Sequence, residues 1–213
     1  MITYIIIFLT VAFSLYAMNN EEVKYKYLFH PYSIHHNKQH YRFLSHAFLH
    51  ADYLHLAFNM YALWMFGQII EEQIFPILLS HDGEPDKKMG MVLYILLYTG
   101  AIYASSASEY FKNKNNKYYS SLGASGAVNA LIFSYITCLP MSQLGLFFLP
   151  KMPAWIFGLL FLGVSYYLSK RKLANDNIGH EAHFWGAIFG ILFTLTLAWL
   201  NKDVYISLVT NFR

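Results

Sequence analysis

LGASGAVNALIFSYITCL, residues 122–139, carries no charged side chain, yet it gathers Gly123, Ser125, Gly126 and Asn129 into its first half. A helix needs about 20 apolar residues, with a working range of about 17–25, to cross ~30 Å of hydrocarbon. This stretch is long enough for one crossing. Polar groups in a bilayer are costly, so each of these asks for a reason. Working outward, five more stretches have the same apolar character: 2–18, 54–70, 90–109, 154–169 and 182–200. The composition agrees. Of 213 residues, 56% are hydrophobic and only 13% are charged, against about 25% charged in a soluble domain. Such a chain cannot cover a water-facing surface with charge, and it is too hydrophobic to stay disordered. The expected fold class is all-α, a polytopic membrane protein folded as one domain over 1–213 with a six-helix bundle.

Other classes fall away quickly. A net charge of +3 gives no clustered basic face for nucleic acid. The lone Cys138 excludes a disulfide framework and a cysteine-built zinc site. Residues 2–18 lack a basic leader and a clear small-x-small cleavage site, so they read as a retained span. The long first connection, 19–53, holds an apolar, His-rich piece from Tyr41 to Tyr53. It is too short to cross and reads as a folded element at the interface. No Asp or Glu lies mid-span, which argues against a proton or solute transporter.

Consecutive spans alternate in direction, so the second, fourth and sixth run the same way. Their unusual residues all sit in the first turns: His55 and Asn59, one turn apart on one face; Gly123, Ser125 and Gly126; and His183. They therefore share one end of the bundle and a shallow depth. A serine hydroxyl needs a base to become a good nucleophile. His183 can take that proton and return it to a leaving amine. His55, Asn59 and the Ser125 amide can donate to an oxyanion, and the start of a helix just before Ser125 favours negative charge there. No carboxylate is forced into the set, so a dyad is more economical than a triad. Read alone, Ser125 is a helix-packing serine, and Gly186 and Gly190 form a G-x-x-x-G that serves close packing. His46, His50 and His55 make a three-histidine zinc site conceivable. Without H-E-x-x-H or a carboxylate base between them, hydrogen bonding within the first connection is the better reading. No metal and no cofactor are expected.

These residues resemble the rhomboid intramembrane serine proteases. The G-x-S-G of that family is similar to Gly123-Ala124-Ser125-Gly126. Its A-H-x-x-G-x-x-x-G matches Ala182 to Gly190, its H-x-x-x-N matches His55 to Asn59, and an aromatic-Arg pair with spaced histidines matches Tyr41, Arg42, His46 and His50. The resemblance implies Ser125 as nucleophile and His183 as general base. It implies oxyanion donors at His55, Asn59 and the Ser125 amide, with Gly123 shaping the loop, and structural support from Arg42, His46 and His50. Two positions depart: Tyr41 stands for the usual Trp, and Asn129 stands where several members pack a Tyr on the catalytic imidazole. The implied function is a serine endopeptidase that cuts peptide bonds in or near transmembrane segments of membrane proteins, within the lipid bilayer. The alternative is an inactive rhomboid-like protein that binds transmembrane clients. Ten basic residues lie at the Ser125 end, including Lys112, Lys114, Arg171 and Lys172, against five at the other, including Lys87 and Arg213. The positive-inside rule puts the site in the cytoplasm; the resemblance implies the outer side of a bacterial-style inner membrane, and that orientation is adopted. No oligomeric state is legible.

Overall fold

The computed structural model describes residues 1–80, 84–145, 150–171 and 179–211; Lys172 and Arg213, counted above among the basic residues, lie outside them. Each expected span falls on a helix: α1 (Ile2–Met18), α5 (Tyr53–Ile69), α7 (Lys87–Asn113), α8 (Ser125–Cys138), α9 (Ala154–Lys170) and α10 (His180–Leu200). Local chemistry explains several starts. Asp52 caps α5 by accepting the His55 N–H at 2.8 Å, and Asp86 caps α7 by accepting that of Met89 at 3.0 Å, each satisfying an otherwise orphaned donor. In contrast, no side chain caps α8.

The first connection is folded, into α2 (Glu21–Tyr27), α3 (Pro31–Asn37), α4 (Arg42–Ser45) and a 3-10 turn at His46–Phe48. Arg42 is its pin. Buried, it donates to the Tyr25 and Leu28 carbonyls at 2.8 Å and to Gln39 Oε1 at 2.7 Å.

Side-chain contacts establish the directions. Ser14 meets His50 while Thr3 meets Glu71, so α1 runs against α5. His55 lies against Gly123, and Phe66 packs on Tyr135 with ring centroids 5.2 Å apart, so α5 runs with α8. Gly158 packs on Ile136 while Phe161 stacks on His183, so α9 runs against both α8 and α10. α5, α8 and α10, on the second, fourth and sixth expected spans, are parallel, as the alternation required.

The boundaries differ from the sequence reading in instructive ways. The span expected at 54–70 continues through a π-helical turn (Ile70–Ile74) and α6 (Phe75–Leu78). There the buried Glu71 accepts the backbone N–H groups of Ile2 at 2.6 Å and Thr3 at 2.9 Å, capping α1 from a neighbouring helix. The span expected at 90–109 extends to 27 residues. By contrast, the stretch 122–139 yields a helix of only 14 residues, about 21 Å long at 1.5 Å per residue. Most of α8 is buried among its neighbours, so it has no hydrocarbon thickness to match. Among the described residues, only α7 and α10 are both long and apolar enough to cross a bilayer; α1, α8 and α9 are apolar but shorter. A two-strand ribbon, β1 (Gln143–Leu144) with β2 (Met152–Pro153), joins α8 to α9, and α11 (Lys202–Asn211) follows α10. Ile5, Phe8, Leu159, Leu160, Leu192 and Trp199 point outward, an apolar exterior suited to lipid.

Candidate active site

α8 and α10 form the most extensive helix pair among the described residues. Their register is read from three contacts, each between residues sixty apart: Gly126 with Gly186, Ala130 with Gly190, and Ser134 with Thr194, whose hydroxyls are 2.6 Å apart. The two glycines bring backbone against backbone. A Cβ on Gly186 would strike the Gly126 carbonyl, and one on Gly190 the Ala130 carbonyl. This in-register packing sets the first turns side by side. Ser125 precedes Gly126, and His183 lies three residues before Gly186. The Ala182 carbonyl is 3.6 Å from the position of a Cβ on Gly126. Both Ser125 and His183 are half-buried.

The second half of the site comes from α5 and the turn before α8. Gly123 adopts φ +128°, a conformation L side chains rarely take, and a Cβ there would lie 3.0 Å from His55 Cε1. Both facts require glycine. Its N–H donates to the His46 carbonyl at 3.0 Å, tying the turn to the first connection. The His55 ring lies against Gly123 with its Cε1–Nε2 edge, while Nδ1 accepts from the Ala51 N–H, 3.5 Å from its nitrogen. Nδ1 as acceptor leaves the proton on Nε2, directed at the turn. Asn59 is buried, and its amide donates to the His55 carbonyl at 2.9 Å, with one N–H to spare.

The histidines do not form a metal site: among the described residues no group of three or more His, Cys, Asp or Glu is placed to hold an ion. Instead each braces the first connection. The His46 ring donates to the Phe43 carbonyl, and His50 Nδ1 lies 2.9 Å from Ser14 Oγ. Because Ser14 gives its own proton to the Phe48 carbonyl at 2.9 Å, His50 Nδ1 is the donor in that pair.

The site therefore has a nucleophile candidate, an imidazole in the adjoining turn and donor candidates around the Gly123 turn. The Rhomboid domain family profile matches residues 37–200, which is most of the chain. The chain belongs to the rhomboid family. Its relatives include the mitochondrial presenilin-associated rhomboid-like protein of Homo sapiens, 27% identical over 183 residues, covering 78% of this chain and 41% of that protein. The mitochondrial RHOMBOID-like protein 12 of Arabidopsis thaliana is 30% identical over 143 residues, covering 66% and 41%. This chain thus spans about two fifths of the length of these curated relatives. Both are named as mitochondrial, which gives the expected bacterial inner membrane no support.

Within this rhomboid fold, two features escaped the sequence. Asn129, which stands where the resemblance implied an aromatic, donates to the Ser125 carbonyl at 2.8 Å. The aromatic partner comes from another helix: Phe161 of α9 stacks on His183 at 6.2 Å between centroids and 29° between planes. Nothing in the sequence of 154–169 distinguished Phe161 from its lipid-facing neighbours. The second feature is a polar cluster at the end of α7. There the buried Glu109 accepts from Ser121 at 2.9 Å and from Tyr119, and Ser108 and Lys112 hold Glu181.

The rhomboid's first connection also carries a pH signature. Burial pushes the His46 imidazole down to about 4. Burial, then the neighbouring His55, pushes His50 down to about 3. Both are neutral in the folded protein below the ordinary value of 6.5. Above pH 6.5 neither the folded nor the unfolded chain binds the proton, and their contribution is complete. Below it the unfolded chain takes up protons that the native one refuses. Stability should fall by about 1.4 kcal/mol per pH unit for each histidine, until each folded value is reached. Thermal midpoints in detergent should therefore drop steadily from pH 6.5 to 4.5. His46→Gln should remove about half of the slope; a level profile would contradict the buried, neutral assignment.

Proposed function

We propose that this rhomboid is an intramembrane serine endopeptidase using Ser125 and His183 as a dyad, with six helices crossing the bilayer. The observation that carries the reading is the register of α8 on α10, which sets the turns of Ser125 and His183 side by side, next to the turn at Gly123 and His55.

The chemistry follows in balanced steps. His183 takes the Ser125 hydroxyl proton as Oγ bonds to the scissile carbonyl carbon. The resulting oxyanion is met by the Ser125 N–H, His55 Nε2–H and the remaining Asn59 N–H, each donor contributing about 2.7–4 kcal/mol. The N-terminus of α8, uncapped by any side chain, adds its positive end. The C–N bond then breaks, and the leaving amine takes the proton from His183. Water, deprotonated by the same imidazole, releases the acyl group as a carboxylic acid and restores Ser125. No metal or cofactor enters these steps. The shallow position of the four residues opens the site to one aqueous side, which hydrolysis requires. A helical substrate hides its peptide bonds, so segments with helix-weakening residues near the cut are the favoured class.

The test is purified protein with a serine-reactive fluorophosphonate and a generic single-span substrate. The wild type should label on Ser125 and cut; Ser125→Ala should do neither. A folded wild type that neither labels nor cuts would favour a client-binding protein without catalysis.

A further inference from the structure

Ser105, Ser108, Glu109 and Lys112 fall on one stripe of α7, at the i, i+3, i+4, i+7 spacing. This stripe meets both halves of the site. Ser105 lies against Gly126, the residue after Ser125. Glu109, only 5% exposed, accepts from Ser121 Oγ at 2.9 Å and from the Tyr119 hydroxyl. Ser121 is also paired through its backbone with Phe29, at 2.9 and 3.1 Å, so the segment entering the Gly123 turn is held from two sides. Glu181, two residues before His183, accepts from Ser108 and from Lys112 Nζ, the latter at 2.5 Å. No side chain caps the first turn of α10, and these bonds anchor it. A carboxylate as buried as Glu109 is costly unless its lone pairs are filled. Two hydroxyls each fill one of them, and both belong to the segment that leads to Ser125.

We propose that Glu109 and Glu181 are positioning residues. They make the end of α7 a clamp that fixes the Gly123–Ser125 turn and the His183 turn against the same helix, and so sets the alignment of hydroxyl and imidazole. This rests on the hydrolase reading above and deepens it. Neither carboxylate touches the reacting atoms; both act through backbone placement. Misplacement by about 1 Å costs up to about 100-fold in rate, so the clamp governs turnover without contributing to substrate binding.

Two measurements test it. In cleavage assays, Glu109→Gln and Glu181→Gln should each lower kcat by at least about tenfold and leave KM within about twofold. In a Ser125→Cys, Cys138→Ala background, the pH midpoint of thiol alkylation by iodoacetamide reports pairing of the thiolate with His183, which lowers it below about 8.5. Each clamp variant should move that midpoint back up by about one unit. This second readout needs no turnover, and a loss of stability alone does not produce it. Should Glu109→Gln not fold, Ser121→Ala removes one donor and leaves the carboxylate in place; the same shifts are expected. Unchanged kcat and an unchanged midpoint in an active parent overturn the clamp and leave the hydrolase intact. A parent that never labels or cuts overturns the hydrolase reading itself.

Discussion

His183→Ala is expected to lower cleavage by about four orders of magnitude, with the melting temperature of the bundle little changed. The size follows from the proposed role as general base. Without the imidazole, the Ser125 hydroxyl has no base to take its proton and the leaving amine has no acid. Groups that act as a unit in nucleophilic catalysis each cost nearly the whole effect when removed. At 1.36 kcal/mol per decade, four decades are about 5–6 kcal/mol of transition-state stabilisation. The small stability effect follows from the position. His183 is half-buried and stacks its ring on Phe161, so truncation leaves no deep cavity. Ser125→Ala and the double variant should reach the same residual rate as His183→Ala, because the proposed oxyanion donors His55 and Asn59 survive in all three. Progress curves with a purified single-span substrate, read by mass spectrometry of the products, decide it. A double variant slower than either single by a further large factor would mean that serine and histidine act independently, and the dyad would fall.

What the sequence made legible was the part encoded by short-range pattern. Apolar runs located every major helix, and the G-x-S-G, H-x-x-x-N and A-H-x-x-G-x-x-x-G spacings placed their polar residues at one end, as the parallel α5, α8 and α10 show. Hydropathy read less well where a helix outruns its apolar stretch. α7 begins with Lys87 and ends at Asn113, and both ends looked like connection. The entry to α8 shows the converse. Gly123 at φ +128° delays the helix to Ser125 although the apolar run starts earlier. The rest depends on partners brought together only by folding. Glu71 caps α1 from another helix, Phe161 supplies the ring that Asn129 does not, and Glu109 reaches Ser121 across a connection that read only as polar. A buried carboxylate at a span end has no local signature that separates it from a solvated one; only its tertiary donors do.

The α8–α10 contact yields the second large effect. Gly186→Leu should lower stability by about 3 kcal/mol and eliminate cleavage together. The Cβ alone would strike the Gly126 carbonyl oxygen and lie 2.8 Å from its carbonyl carbon and 3.0 Å from its Cα. All three are backbone atoms of a buried helix, so no rotamer change relieves the clash, and α10 must move off α8. Overpacking of a tight interior typically costs 1–3 kcal/mol, and the rigid neighbour places this case at the upper end. The same displacement carries His183, one turn away, from the turn of Ser125, so activity is lost through geometry even in the fraction that remains folded. Gly163 is the control. Nothing lies within 4 Å of a Cβ at that position, and Gly163→Ala should raise stability by up to about 1 kcal/mol through helix propensity alone. Thermal midpoints and cleavage of both variants in the same detergent make the comparison. A Gly186→Leu protein that melts and cuts like wild type would mean that the two helices are not in this register, and the placement of Ser125 beside His183 would lose its foundation.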